Sequence, residues 1–286
     1  MVNDCSRLLI PLINLVFNKN YLPDEEVELH HNEHFIRHKD GTEEKRVTDS
    51  FFIIGGDMYI LECQSTNDNT MIVRIVEYGF LAALESAKIN EDTLEMDFPN
   101  TAILYLRSYS TTLDKMKVKI RGLGSSIVPI IKMKDYKLED LFEKKLYFLL
   151  PFFIFNHEKD FKVYNSDPSE LQQEYMEIFN KLEQAMENGE LAKLDVGTIM
   201  DMSQKVLDGL AEKYENIRKG VDFVMGGKVL EYTSKTMYNA GRNEEQQRVA
   251  RDMLKDKYPI SAIAKISKLS EDVIRNLAGS LGVSLN

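Results

Sequence analysis

Residues 46–64 read RVTDSFFIIGGDMYILECQ. Two apolar runs, 51–54 and 58–61, flank the turn residues Gly55, Gly56 and Asp57. Aromatic and β-branched residues around such a turn predict a β-hairpin. Three polar groups interrupt the apolar strands: Asp49 in the first, Glu62 and Gln64 in the second. Side chains alternate along a strand, so Glu62 and Gln64 share a face and Cys63 points to the other. With Gly56-Asp57 as a two-residue loop, paired positions sum to 113. Asp49 then opposes Gln64, Phe51 opposes Glu62, and Asp49 and Glu62 are diagonal neighbours about 7–8 Å apart. Two carboxylates at that spacing can bracket a hard cation, and Mg²⁺ suits them because it keeps several waters and accepts one or two carboxylates. A three-residue loop, 55–57, turns Asp49 away from Glu62 unless a bulge restores it. The plainer alternative is that Asp49 caps a strand edge and Glu62 and Gln64 face solvent.

Outward from the hairpin, the first part of the chain, 1–157, alternates helix and strand. The stripe Leu8, Leu9, Leu12, Leu15 and Val16 predicts a helix over 7–17. Strands are expected over 27–36, 46–54, 58–65, 101–109, 117–121 and 126–132, and an amphipathic helix over 70–88 with Asp68 or Asn69 as its cap. The run 146–155 reads as a buried helix or connector. The second part, 158–240, is helical. Leu171, Tyr175, Ile178, Leu182 and Met186 form one seam, and Ile199 through Val221 a second, with Gly189 as the stop between them. The third part, 241–286, holds three short helices. Its segment SAIAKISKLSEDVIRNLAG, 261–279, resembles a helix-turn-helix packed through Ile263, Ala264, Ile266, Leu269, Val273, Ile274 and Leu277.

The 286 residues are 43% hydrophobic and 29% charged, which excludes a disordered chain. The longest apolar run, 146–155, is ten residues interrupted by Pro151, too short to span a bilayer. No basic stretch followed by an apolar run opens the sequence, and two cysteines, Cys5 and Cys63, suit a reducing compartment, so a cytoplasmic protein without membrane partners is expected. The net charge of -10 argues against coating nucleic acid by bulk charge. That charge is divided unevenly. Residues 101–134 carry seven bases against one acid, Asp114, whereas 167–215 carry twelve acids against four bases. Lys115, Lys117, Lys119 and Arg121 alternate along one strand face, where like charges repel unless an anionic partner is near.

The stretch TDSFFIIGGDMYILECQSTNDNTMIVRIVEYGFLAALE, 48–85, resembles the PD-(D/E)XK nuclease superfamily. More narrowly, it is similar to the recombination-promoting nuclease and putative-transposase family. That family shows an Asp-containing strand, Glu-x-Gln-Ser, an Asp-containing loop and a helix opening Met-x-x-Arg-x-x-Glu-Tyr. Here these are Asp49; Glu62, Gln64 and Ser65; Asp68; and Met71, Arg74, Glu77 and Tyr78. The likeness extends to Asn32-Glu33-His34-Phe35, to 142–157 and to the closing helices, so it covers most of the chain. The resemblance implies a restriction-endonuclease-like α/β core, a mixed sheet flanked by helices, with an all-helical C-terminal region. It implies a DNA endonuclease dependent on Mg²⁺ or Mn²⁺, with DNA as partner and a role in transposition or recombination. Asp49 and Glu62 would hold the metal, with Glu33 as a candidate third acid. Gln64 stands where the superfamily usually has Lys; a neutral amide can orient water but cannot stabilise developing charge as Lys does. Arg74 and Tyr78 would meet phosphate, together with Lys117, Lys119 and Arg121. The C-terminal helices are the expected surface for a homo-oligomer.

Other signals are weaker. His30, His34 and His38 would share a strand face, but they lack a Cys partner and fixed ligand spacing. Cys63 reads as a small buried hydrophobe rather than a nucleophile. Gly122-Leu123-Gly124 is a turn, since no Lys-Ser/Thr follows as a P-loop requires.

Overall fold

The computed structural model describes residues 5–30, 33–37, 43–47, 50–65, 71–109, 112–224, 246, 248–255, 258–270, 273–275 and 277–278; for 33–37 and 43–47 only the strand path is described. Contacts divide the chain into two units, Met1–Gly227 and Lys228–Asn286. The helical segment 158–224 lies within the first unit.

The first unit is α/β. In chain order its described strands are β1 (Val27–Leu29), β2 (Glu33–Arg37), β3 (Glu43–Val47), β4 (Phe51–Ile54), β5 (Asp57–Gln64), β6 (Lys88–Asn90), β7 (Thr93–Glu95), β8 (Asn100–Tyr105), β9 (Lys115–Ile120) and β10 (Gly124–Lys132). Six form a mixed sheet in the order β1-β4-β5-β8-β10-β9. β5–β8 and β8–β10 run parallel, and the other pairs run antiparallel. β2–β3 and β6–β7 are separate two-stranded ribbons. The strands expected over 27–36 and 46–54 are thus each interrupted.

The hairpin turns on Gly55-Gly56, one residue earlier than the Gly56-Asp57 loop expected. Both glycines have positive φ, 57° and 85°. Two-residue hairpin loops favour that conformation at both positions, and glycine adopts it without steric cost. Ile54 consequently pairs with Asp57, and Phe51 pairs with Ile60 instead of Glu62. Asp57, released from the loop, accepts from Lys19 Nζ at 2.6 Å and from the Tyr21 hydroxyl at 2.5 Å. Tyr21 in turn meets the Tyr59 hydroxyl at 2.8 Å. This network ties the segment after the first helix to the hairpin turn.

Helices cover both sheet faces. The helix α1 (Ile10–Phe17) brings Phe17 against Tyr59, whose ring stacks on Phe52. On the opposite face, α2 (Met71–Glu85) buries Met71, Ile75, Tyr78 and Ala82, spaced 4, 3 and 4. Met71 and Ile75 pack on Ile103, Tyr105 and Val128, while Tyr78 and Ala82 pack on Phe51 and Ile60. α2 stops at Glu85, short of the expected Lys88, because Lys88 opens the β6–β7 ribbon.

After the sheet come α3 (Leu138–Glu143) and a run of 3-10 turns, Tyr147–Asp160, that buries Tyr147, Phe148, Leu149, Leu150, Phe153 and Ile154. Then follow α4 (Phe161–Ser166), α5 (Ser169–Glu187) and α6 (Lys193–Leu210). The expected seam of α5 is buried through Leu171, Tyr175, Ile178 and Leu182. Gly189, at φ 76°, lies between α5 and α6 as the stop signal required. The second seam is not one helix. α6 ends at Leu210, a new helix spans 215–224, and Tyr214 between them meets the Phe161 ring. α6 packs on Tyr147–Asp160, and its buried Asp195 accepts from the Ala192 amide and pairs with Arg7.

The second unit has described helical residues at 248–255, Ile260–Ser267 and 273–275. Ala250, Leu254, Ile263, Ile274 and Ala278 form its core. Lys268, at φ 59°, ends the middle helix. Ile266 is 59% exposed and Val273 is also exposed, so these two lie outside the core assigned to them from sequence.

The Lys19 and Tyr21 contacts hold the Asp57 carboxyl below its ordinary value of 3.8. A depressed carboxylate pKa gives stability that is present above the unfolded value and lost as pH falls through the folded one. Urea melts should therefore show wild type more stable than Asp57→Asn near neutrality, with the gap closing on acidification below about pH 4.

Candidate functional site

β5 is an inner strand, paired to β4 on one side and β8 on the other. Its pairing with β8 sets Glu62 beside Ile103 and Gln64 beside Tyr105. Ile103 and Tyr105 belong to the cluster under α2, and Ile60 lies under Tyr78. Glu62 and Gln64 therefore project on the α2 face, as their shared parity requires. Glu62 is 1% exposed, while Gln64, nearer the strand end, is half-buried. Ser50 extends the hairpin by one residue: its carbonyl accepts from the Leu61 amide at 3.2 Å and its hydroxyl donates to the Leu61 carbonyl at 2.7 Å. Asp49 and Asp68 lie outside the described residues. Glu33 opens β2 opposite Val47, and only its backbone is described.

α2 sets the remaining motif residues. Its first turns carry Met71 and Ile75 at the level of Ile103 and Tyr105, which is the level of Glu62 and Gln64. Arg74 lies between them, half-buried, with its Nε out of solvent and one Nη 3.9 Å from the Met71 sulfur. Glu77 is half-buried. Tyr78 is only 3% exposed and packs on Phe51, Ile60 and Ala82. Its ring is a core element.

The basic strand is where the alternation placed it, but on the other side of the sheet. β9 is an edge strand, and Lys115, Lys117 and Lys119 are exposed. Met116 and Val118 between them pack against the α2-side cluster. The lysines therefore rise from the face opposite Glu62 and Gln64. Arg121 lies in the following turn and is exposed. Other bases of the 101–134 segment are engaged internally. Lys132 is buried and pairs with Asp114 at 2.5 Å, and Arg107 makes two bonds to Glu158, at 2.5 and 2.8 Å. Lys134 donates to the Tyr109 carbonyl.

A second polar region lies beyond the C-terminal ends of β8 and β10. A cavity of about 690 Å³ is lined by Arg107, Ser108, Lys134, His157, Glu158 and Glu174, among others. His157 Nε2 is 2.8 Å from Glu174, close but too poorly angled for a hydrogen bond, and its Nδ1 is 3.4 Å from the Tyr164 hydroxyl. Arg107 also covers the Phe155 ring at 4.9 Å. The Arg107–Glu158 pairing joins residues about fifty apart in sequence and belongs to no short motif, so periodicity and spacing did not reveal it. Ends of parallel strands are favoured ligand positions in α/β sheets, but Arg107 and Glu158 here already pair with each other.

Among the described residues no three His, Cys, Asp or Glu side chains cluster closely enough to hold a metal ion. The donor chemistry at the end of β5 still suits a hard divalent ion. Glu62 offers a carboxylate and Gln64 an amide oxygen on one strand face. Neither Cys5 nor Cys63 is in a disulfide, and Cys63 is half-buried rather than buried. No helix of the described residues is long and apolar enough to cross a membrane. Comparisons with family models, curated proteins and solved structures find no match.

If the Tyr78 ring is core and the lysines are surface, denaturant melts will separate them. Tyr78→Ala should cost about 3–5 kcal/mol, the range for truncating a buried aromatic ring. Lys117→Ala should change stability by no more than about 0.5 kcal/mol.

Proposed function

We propose that this chain is a divalent-metal-dependent DNA endonuclease of the PD-(D/E)XK type, acting in transposition or recombination. The observation that carries this reading is a carboxylate, Glu62, set within an inner strand and followed two residues later by Gln64 on the same face. The sequence resemblance over 48–85 supplies the reaction. Asp49 precedes Ser50 in the sequence, and Ser50 pairs with Leu61.

When bound, Mg²⁺ or Mn²⁺ would supply Lewis acidity to the phosphate and acidify a water. The protein's own groups divide the remaining work. Asp49 and Glu62 would hold the ion. Gln64 orients the attacking water through its amide, without adding charge. Arg74, at the level of Glu62 along α2, neutralises the phosphate. Tyr78 supports α2 from below. Lys117, Lys119 and Arg121 hold the DNA backbone, and because β9 is the sheet edge, the duplex would have to pass around that edge to meet both sets.

The second reading is a catalytically degenerate DNA-binding or assembly protein on the same fold. The near-complete burial of Glu62 and the Gln at the usual Lys position favour it. Plasmid nicking with Mg²⁺ or Mn²⁺ separates the two. Wild type should nick, and Asp49→Ala and Glu62→Ala should each lose about a hundredfold or more, a few kcal/mol of barrier. Equal nicking by all three excludes the endonuclease. Binding without cutting selects the degenerate form. Replacing Lys117 and Lys119 by Ala should also lower DNA affinity and reduce the slope of log affinity against log salt by roughly one per residue.

A further inference from the structure

An apolar groove runs along the α2 side of the sheet, away from Glu62 and away from the lysine face of β9. It encloses about 500 Å³ between Val76 and Phe80 of α2, Phe98, and Val118 and Ile120 of β9. Phe98 lies directly on Gly79 and meets Phe80 edge-on at 5.4 Å. A side chain at position 79 would collide with it; the missing Cβ lets the Phe98 ring settle against the helix. The groove is open at the β9–β10 turn, where Leu123 is 77% exposed.

The adjoining β6–β7 ribbon extends this surface. All six of its strand residues are exposed. Ile89 and Leu94 are direct cross-strand partners, and Ile89 is 78% exposed. From Leu94 the apolar residues alternate with acids: Leu94, Glu95, Met96, Asp97, Phe98. Met96 and Phe98 line the groove. Residues 88–97 carry four acids, Glu91, Asp92, Glu95 and Asp97, against one base, Lys88. One lip of the groove is therefore both apolar and negatively charged.

We infer that this groove docks a basic amphipathic helix of a partner protein. An apolar groove accepts a helix through residues at i, i+3 or i+4, and i+7. The acidic lip then selects Lys or Arg along the helix flank. The α5 and α6 helices of a second copy are poor occupants. The amphipathic helices of its first unit, α5 and α6, lie in the segment with twelve acids and four bases and would meet the lip with like charge.

The test uses the full-length protein and two fluorescent synthetic helices with the same leucine pattern, one filled with Lys and one with Glu. At physiological salt the Lys helix should bind at least about tenfold more tightly, a gap of about 1.4 kcal/mol. Leu123→Asp and Ile89→Asp should each abolish that preference. Both sites are exposed, and circular dichroism confirms that the variants fold. Glu95→Lys with Asp97→Lys should reverse the preference. Glu170→Lys with Glu187→Lys, exposed acids on α5, should leave it unchanged and so remove bulk charge as the cause. Equal binding of both helices, no binding, or an equal effect of the α5 control pair overturns the proposal. Self-association abolished by Leu123→Asp overturns it too, because a second copy would then fill the groove.

Discussion

A nearly dry carboxylate constrains the whole first unit. Glu62 sits in an inner strand, between two paired neighbours and beneath a helix, with 1% of its surface exposed. A carboxylate in such a place has to be compensated by its surroundings. The surrounding elements are arranged so that this position is held rather than avoided. Gly55-Gly56 fixes the hairpin register, Ser50 extends the pairing to Leu61, and β8 fixes the level of Glu62 from the other side. α2 closes the face through Met71, Ile75 and Tyr78.

Charge is distributed around this centre in three ways. Some bases are consumed internally: Lys132 on Asp114, Arg107 on Glu158 and Arg7 on Asp195. The lysines of β9 stay exposed but occupy the opposite sheet face. The acids concentrate on α5 and α6, the β6–β7 ribbon, and their turns. The net charge of -10 therefore hides a narrow basic edge, and any polyanion must approach along it.

The hairpin, α2 and the α5 seam were legible in the sequence because each has a strong local period. The face shared by Glu62 and Gln64 was legible for the same reason. The register was not, because Gly55, Gly56 and Asp57 allow several loops. Positive φ at two successive positions decided it, and Asp57 was then free to bind Lys19 and Tyr21. The burial of the Tyr78 ring was not legible, because its place in a motif said nothing of which side of α2 packs on Ile60. The opposition of the β9 lysines to Glu62 depends on strand order, β8 and β10 lying between the two strands, and no local pattern encodes that. The second helical seam looked continuous because a break of a few residues, 211–214, preserves the apolar spacing.

The central claim is that Glu62 is a ligand for a hard divalent ion. Electron paramagnetic resonance of Mn²⁺ titrated into the full-length protein tests it most directly, with Glu62→Gln as comparison. That substitution keeps the side-chain volume and removes the carboxylate. One tightly bound Mn²⁺ per wild-type chain is expected, and its loss in Glu62→Gln. The same bound Mn²⁺ in both proteins, or none in wild type, would contradict it.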